Sequence, residues 1–156
     1  MTILTEQSIR RCKIISPWEP RTNYQGVSYG QSYAGYDIRL DKGINLEAGR
    51  TSLAISKERF TMPPNVMGIV HDKSTWARLG IQVQNTVIEP GWQGYLTLEI
   101  SYMPLFGKLT PLYTIPGGVG IAQVIFHFID VHVEGYEGKY QDAGPDVQPA
   151  LFTGDK

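Results

Sequence analysis

Beyond its first dozen residues this chain reads as short strands separated by turns, and helical spacing is scarce. From Tyr95 to Ser101 the alternation is clean: Leu96, Leu98 and Ile100 fall on one face, and Tyr95, Thr97, Glu99 and Ser101 on the other. That pattern predicts a strand with one face in a core. Val66–Val70, directly after Pro63-Pro64, and Gly80–Val83 predict two short apolar strands, and Ile115–Gly118 predicts a turn. Gly120 to Val133 is apolar on both faces except at Gln123, His127, Asp130 and His132, which predicts a long strand buried on both sides. In a small β domain, contact with another subunit is one way to reach such burial. His127 and His132 are expected on opposite faces of that strand, each as a satisfied strand histidine. One short helix is predicted over Glu6–Arg11, with Thr5 as its N-cap and Ile3 and Leu4 before it.

The pattern changes at Glu134. Residues 134–156 are rich in Gly, Pro, Asp and Gln and have little to form a core, so they predict a flexible tail that orders only on a partner or ligand. The organisation expected is one β domain over residues 1–133 followed by this tail, with an all-β sandwich or barrel as the fold class. Length agrees, since 156 residues suit a single domain with a real core.

Composition narrows the chemistry. A formal net charge of −1 gives no bulk attraction to nucleic acid or to an anionic membrane, so neither partner is expected and any polyanionic ligand must be held by a few local cations. The single cysteine, Cys12, rules out an internal disulfide, and with only three histidines it leaves little material for a zinc site. The first eleven residues carry no long apolar stretch, and the longest apolar run is interrupted by polar residues, so neither a signal peptide nor a membrane span is expected. A reducing cytoplasmic setting follows as the default, the host cytoplasm if the gene is viral.

Two segments can carry chemistry. His71–Arg78 packs Lys73, Ser74, Thr75 and Arg78 just after an apolar strand, and two cations beside two hydroxyls suit an anion. Val87–Glu99 places Glu89 at a Pro90-Gly91 turn and Glu99 on the polar face of the alternating strand, where a carboxylate can act as a general base. Taken alone, each also reads as an ordinary polar surface. Gln123 likewise reads either as a core amide bonded to backbone or as a ligand contact.

Together the segments resemble the family that joins dCTP deaminases to trimeric dUTPases. Leu4–Ile9 resembles its N-terminal helix, and Ser32–Leu40 its Ser-x-Asp-x-Arg-Leu segment. Lys73-Ser-Thr-Trp-Ala-Arg-Leu-Gly80 is similar to its Arg-Ser-Ser-x-Ala-Arg-x-Gly motif, and Ile88-Glu-Pro-Gly-Trp-Gln-Gly94 to its Ile-Asp-Pro-Gly turn. Leu96–Glu99 matches the strand bearing the deaminase glutamate, Ile121–Gln123 the Ile-Gly/Ala-Gln segment, and Lys139–Gln141 the Lys-Tyr-Gln tail.

The resemblance implies a distorted, dUTPase-like β-jelly-roll or β-clip barrel with a short N-terminal helix, assembled as a homotrimer with nucleotide sites between subunits. It implies hydrolysis of dCTP to dUTP and ammonia, with Glu99 as general base and proton shuttle and Ser74 and Arg78 holding the attacking water and the developing charge. Lys73 and Thr75 would meet phosphates, Glu89 the sugar and Thr97 the base. Trp76, Ala77, Leu98, Gln123, Tyr136, Lys139 and Gln141 would complete the substrate contacts. The tail would close over the nucleotide, and dTTP would act as a feedback ligand. Magnesium would enter only with the triphosphate. Zinc is not expected, because the P-C-x-x-C pattern of zinc deaminases does not occur in a chain whose single cysteine is Cys12. The chain departs from the family pattern at Lys73 for arginine, at Glu89 for aspartate, at Gln84–Val87 for an Ala-His-Arg type stretch, and in a compressed tail. A dUTPase or bifunctional enzyme making dUMP, and a trimeric nucleotide-binding regulator without catalysis, are the alternatives.

Overall fold

The computed structural model describes residues 2–105 and 110–152. Thirteen strands and two short helices are present among them: β1 (Thr2–Ile3), α1 (Glu6–Arg11), β2 (Ile15–Ser16), β3 (Thr22–Tyr24), β4 (Val27–Gln31), β5 (Tyr36–Arg39), β6 (Ile44–Glu47), β7 (Arg50–Thr61), β8 (Val66–Asp72), α2 (Ser74–Ala77), β9 (Ile81–Val83), β10 (Val87–Ile88), β11 (Gln93–Tyr102), β12 (Leu112–Ile115) and β13 (Gly120–Phe128). The chain is all-β in architecture, as its periodicity predicts, with α1 on the predicted residues and Thr5 at its N-cap. Among the described residues no helix is long and apolar enough to cross a membrane.

Two sheets and a ribbon enclose the core. The larger sheet runs β10-β8-β13-β5-β4-β3, with β1 also pairing β13; the smaller runs β2-β7-β11-β9, and β12 pairs β6. Alternation on β11 works as the sequence predicts: Leu96, Leu98, Ile100 and Tyr102 are buried, whereas Tyr95, Thr97, Glu99 and Ser101 are only half-buried. Phe60 on β7 joins the sheets, its ring 6.5 Å from that of Phe126 on β13 and 6.2 Å from that of Trp92. These aromatic contacts and the aliphatic side chains around them form one continuous core.

A bulge shapes β7. Its pairing with β11 steps from Arg59↔Tyr95 to Ile55↔Thr97, so four residues of β7 match two of β11. The freed N–H of Leu96 donates to Ser56 Oγ at 2.9 Å, and that hydroxyl donates to the Glu58 carbonyl at 2.7 Å. The detour leaves Glu58 with no solvent exposure, and Arg39 answers it through both its backbone N–H (2.8 Å) and Nε (2.6 Å). Burial pushes the Glu58 carboxyl up from its ordinary range, and the Arg39 hydrogen bonds oppose that rise.

The last long strand is shorter than its apolar run. β13 ends at Phe128, whose partner is Val66, the first residue of β8 after Pro63-Pro64. Ile129 N–H still donates to the Asn65 carbonyl (3.0 Å), but a turn closed by Val66 N–H on the Pro63 carbonyl (3.2 Å) ends the partner strand there, and residues 130–133 are exposed. His132 is therefore not a strand residue. His127 is, but its Nδ1 is buried with no hydrogen-bond partner among the described residues, so it is not the satisfied histidine expected.

Candidate active site

β11 carries the polar face of the alternating strand into a cavity of about 350 Å³. Tyr95, Thr97 and Glu99 project into it from alternate positions, and Glu89 stands at its rim on the turn after β10. Trp92, Tyr136 and Tyr140 supply aromatic walls. The Glu99 carboxylate has no hydrogen bond or ion pair to any described residue, while its backbone carbonyl accepts from Gln84 N at 2.9 Å. No lysine, arginine or histidine is among the described residues lining this space, so an uncharged, partly apolar group fits it better than a polyanion.

The chain's own tail forms the far wall. Tyr136 N–H donates to the Pro90 carbonyl (2.8 Å), Trp92 Nε1 to the Tyr140 carbonyl (2.7 Å), and Tyr95 N–H to the Ala143 carbonyl (2.9 Å). Two glycines of the turn make this approach possible. A Cβ on Gly91 would lie 2.5 Å from Gly135 Cα, and one on Gly94 would lie 2.7 Å from Ala143 N. Gln148, Pro149 and Ala150 then complete the cavity, and Gln148 N–H donates to Thr97 Oγ1 at 3.0 Å. Residues 134–152, read in the sequence as ordering only on a partner or ligand, are held here by hydrogen bonds to the same chain; 153–156 lie outside the described residues.

The other expected site residues stand elsewhere. Ser74, Thr75, Ala77 and Arg78 are exposed on and after α2, and none lines the cavity. Lys73 and Gln123 are half-buried in a polar network with Asp37. The structure thus brings together Glu89, Thr97, Glu99 and Tyr136, and separately Lys73, Asp37 and Gln123.

Three of the expected contacts have side chains engaged by the chain itself. Trp76 is only 6% exposed, because its indole packs edge-on against Tyr113 and donates to the Gly120 carbonyl at 2.7 Å. Leu98 is 1% exposed, on the core face of β11 opposite Glu99. Gln141 spends its amide on the turn: Oε1 accepts from Gln93 N (2.9 Å) and Nε2 donates to the Gly91 carbonyl (3.0 Å). The Lys139 ammonium lies over the rings of Tyr140 (5.4 Å) and Phe152 (6.0 Å). Sequence reasoning missed Asp37, Trp92, Tyr95 and Tyr140. The aromatic density of Trp92–Tyr95 and Tyr136–Tyr140 was the available signal for the last three.

A family model described as dCTP deaminase-like matches residues 8–129. The chain belongs to the dCTP deaminase-like family. Among its relatives, a dCTP deaminase of Campylobacter hominis is 33% identical over 187 aligned positions, covering 98% of this chain and 95% of the relative. Another, of Janthinobacterium sp. (strain Marseille), is 36% identical over 187 positions, covering 95% of each. Both alignments are longer than this chain, so these dCTP deaminases carry residues with no counterpart here. Among solved structures, native EIAV dUTPase superposes with a TM-score of 0.58 at 16% identity, covering 82% of this chain and 98% of that one. A mutant dUTPase from phage phi11 of S. aureus, which coordinates a structural Mg(II) ion, also gives 0.58 at 16% identity, covering 78% and 91%. The dUTPase-like fold of this family member is thereby shown.

Proposed function

We propose that this protein hydrolyses dCTP to dUTP and ammonia, as a hydrolase acting on the C–N bond of a cyclic amidine, with Glu99 as general base. The observation that carries this reading is an unpaired carboxylate projecting into a base-sized, largely apolar cavity of a dCTP deaminase-like chain. Glu99 takes a proton from water as the oxygen adds to carbon 4 of cytosine, and delivers it to ring nitrogen 3. The same carboxylate then moves the proton of the new hydroxyl to the amino group, which leaves as ammonia while the carbonyl of uracil forms. A base on an alternate position of a rigid strand suits this shuttle, because both transfers use one fixed carboxylate. His132-Val133-Glu134 has the H-x-E spacing of the zinc deaminases, but their P-C-x-x-C cysteine pair is absent, since the chain has one cysteine, Cys12. Among the described residues no group of three or more His, Cys, Asp or Glu could hold a metal ion. Magnesium belongs to the substrate, carried by the triphosphate.

A homotrimer completes the site in this reading. The cavity offers a carboxylate but no cation, whereas Ser74 and Arg78 are exposed on a separate segment of the chain. A neighbouring copy would supply that pair to hold the water and the developing charge, with Thr75 toward phosphate. The sheet surface supports this. Val87, Ile69 and Ile125 stand opposite one another across β10, β8 and β13, one exposed and two half-buried, and Val87 also lines the cavity. Light scattering is expected to give about three times the 17.4 kDa chain mass, and a stable active monomer would defeat the shared site. A cytoplasmic location belongs to the same reading.

Separating the products after incubation with dCTP and with dUTP tests the function directly. Ammonia and dUTP from dCTP are expected. Formation of dUMP and pyrophosphate from dUTP alone would mark a dUTPase, and nucleotide binding without turnover would mark a regulator. Removing residues 135–156 is expected to weaken nucleotide binding at least about tenfold, since the strap supplies Tyr136, Tyr140, Ala143 and Gln148–Ala150 to the cavity wall. Its melting temperature is expected to fall by only a few degrees, because the strap buries little apolar surface. Unchanged nucleotide affinity after truncation would show the strap to be idle.

A further inference from the structure

We propose that Lys73 is a positioning residue locked by Asp37, and that Asp37, through this lock, sets the Ser74–Arg78 segment for reaction. The proposal rests on the deaminase reading above for its kinetic test, but the geometry stands by itself. The Lys73 ammonium lies 2.5 Å from Asp37 Oδ2 and 3.1 Å from Ser28 Oγ. The two charged side chains are only 10% and 9% exposed. The second oxygen of Asp37 accepts from Gln123 Nε2 at 3.1 Å, and that amide also donates to Ser32 Oγ at 2.9 Å. The lock therefore ties the residue after β8 to β4, β5 and β13.

Two consequences follow. Lys73 is the only cation paired with Asp37 among the described residues, so lending its ammonium to a phosphate would leave a largely buried carboxylate without its counter-charge. Arg78, five residues on, has no such tie: it is exposed and has no hydrogen bond or ion pair from its guanidinium among the described residues. Lys73 also directly precedes α2, where its carbonyl accepts from Trp76 N and Ala77 N, both at 3.0 Å. The Trp76 indole pins the other side of the same turn to the Gly120 carbonyl. With Lys73 and Trp76 both fixed inward, Ser74, Thr75 and Arg78 are presented outward on a segment that does not have to be ordered when substrate arrives.

A phosphate-ligand role for Lys73 predicts the opposite sign at Asp37. The test compares wild type, Asp37→Asn, Lys73→Met and the double variant in the full-length protein, reading kcat and KM for dCTP and inhibition by inorganic tripolyphosphate. The lock predicts that each single variant loses about tenfold or more in kcat, with KM and tripolyphosphate inhibition within about threefold of wild type. It also predicts that the double variant is little worse than either single one. If Lys73→Met instead weakens dCTP and tripolyphosphate about tenfold at unchanged kcat, and Asp37→Asn tightens them, Lys73 is a phosphate ligand and the lock is overturned. A wild type that does not turn over dCTP defeats the deaminase reading, and the lock is then judged by hydrogen exchange. Asp37→Asn must speed exchange at the Trp76 and Ala77 amides, and unchanged protection there overturns the proposal.

Discussion

Glu99→Gln is expected to abolish release of ammonia from dCTP while leaving the fold and nucleotide binding nearly intact. Glutamine has the size of glutamate, and Glu99 stands on the cavity face of β11 while Leu98 and Ile100 on either side are buried in the core. Its carboxylate holds no described residue by a hydrogen bond or ion pair, so the substitution costs no internal contact. Its backbone carbonyl, bonded to Gln84 N, is unaffected by the change. What disappears is the capacity to accept a proton from water and pass it to the ring. Loss of a general acid–base group costs on the order of a hundred- to ten-thousand-fold in rate, or about 3–5 kcal/mol in the barrier. Glu99 would serve more than one transfer, so the upper part of that range is expected. The measurement is ammonia release under saturating dCTP, paired with dCTP affinity by calorimetry. A variant that retains more than about a tenth of the wild-type rate would remove Glu99 from the role of base. One that no longer binds dCTP would show that the carboxylate is a substrate contact instead.

How much of this was legible in the sequence depended on how regular each element is. β11 could be read because one of its faces is core and the other is not, and a period of two leaves that difference in the order of residues. β7, the longest strand, was not recognised. Its bulge breaks the period and turns Ser56 and Glu58 inward, so a polar stretch that looks like a surface segment is buried. β13 was overrun in the other direction, since Ile129, Val131 and Val133 continue the apolar pattern after Pro63-Pro64 has ended the partner strand. Strand length is a property of the pair, and periodicity within one segment does not contain it.

The candidate site divides along a similar line. The motif resemblance picked out the segments that surround the cavity and the exposed turn beside it, but it could not say which side chains in them point toward a ligand. Trp76, Leu98 and Gln141 turn their side chains to the chain itself: an indole donating to the Gly120 carbonyl, a core leucine, and an amide clipped across the Gly91–Gln93 turn. Asp37 lies within Ser32–Leu40, and nothing local in the sequence marks it as a site residue. Its partner Lys73 is distant in sequence, and only the pairing of β5 with β13 beside β8 makes them neighbours. The tail's attachment was hidden for another reason. Its anchors are mostly backbone groups, which any sequence possesses, and the sequence-specific part is the freedom of Gly91 and Gly94 to let another backbone come close.

Arg39→Met is expected to destabilise the protein by about 3–5 kcal/mol near neutral pH, the usual cost of leaving one partner of a buried ion pair without the other. Glu58 has no solvent exposure, and its two oxygens are held by the backbone N–H and Nε of Arg39. Methionine keeps the backbone donor and much of the aliphatic volume but removes the charge, the Nε bond and the stacking of the guanidinium on Tyr29 at 4.5 Å. The loss has a direction in pH. Burial already raises the Glu58 carboxyl, and the Arg39 side chain is among the influences that lower it, so the variant's carboxyl rises further. A raised carboxyl penalises the folded state above its folded pKa, where it is charged, and the penalty is relieved as pH falls through that value. The stability gap between wild type and Arg39→Met, measured by urea unfolding from neutral to acidic pH, is therefore expected to narrow toward acid. Pairing Arg39→Met with Glu58→Gln should recover part of the loss at neutral pH, because the uncompensated charge is gone. A gap that stays constant with pH, or a double variant worse than the sum of its singles, would mean that the cost lies in lost packing rather than in the unpaired carboxylate.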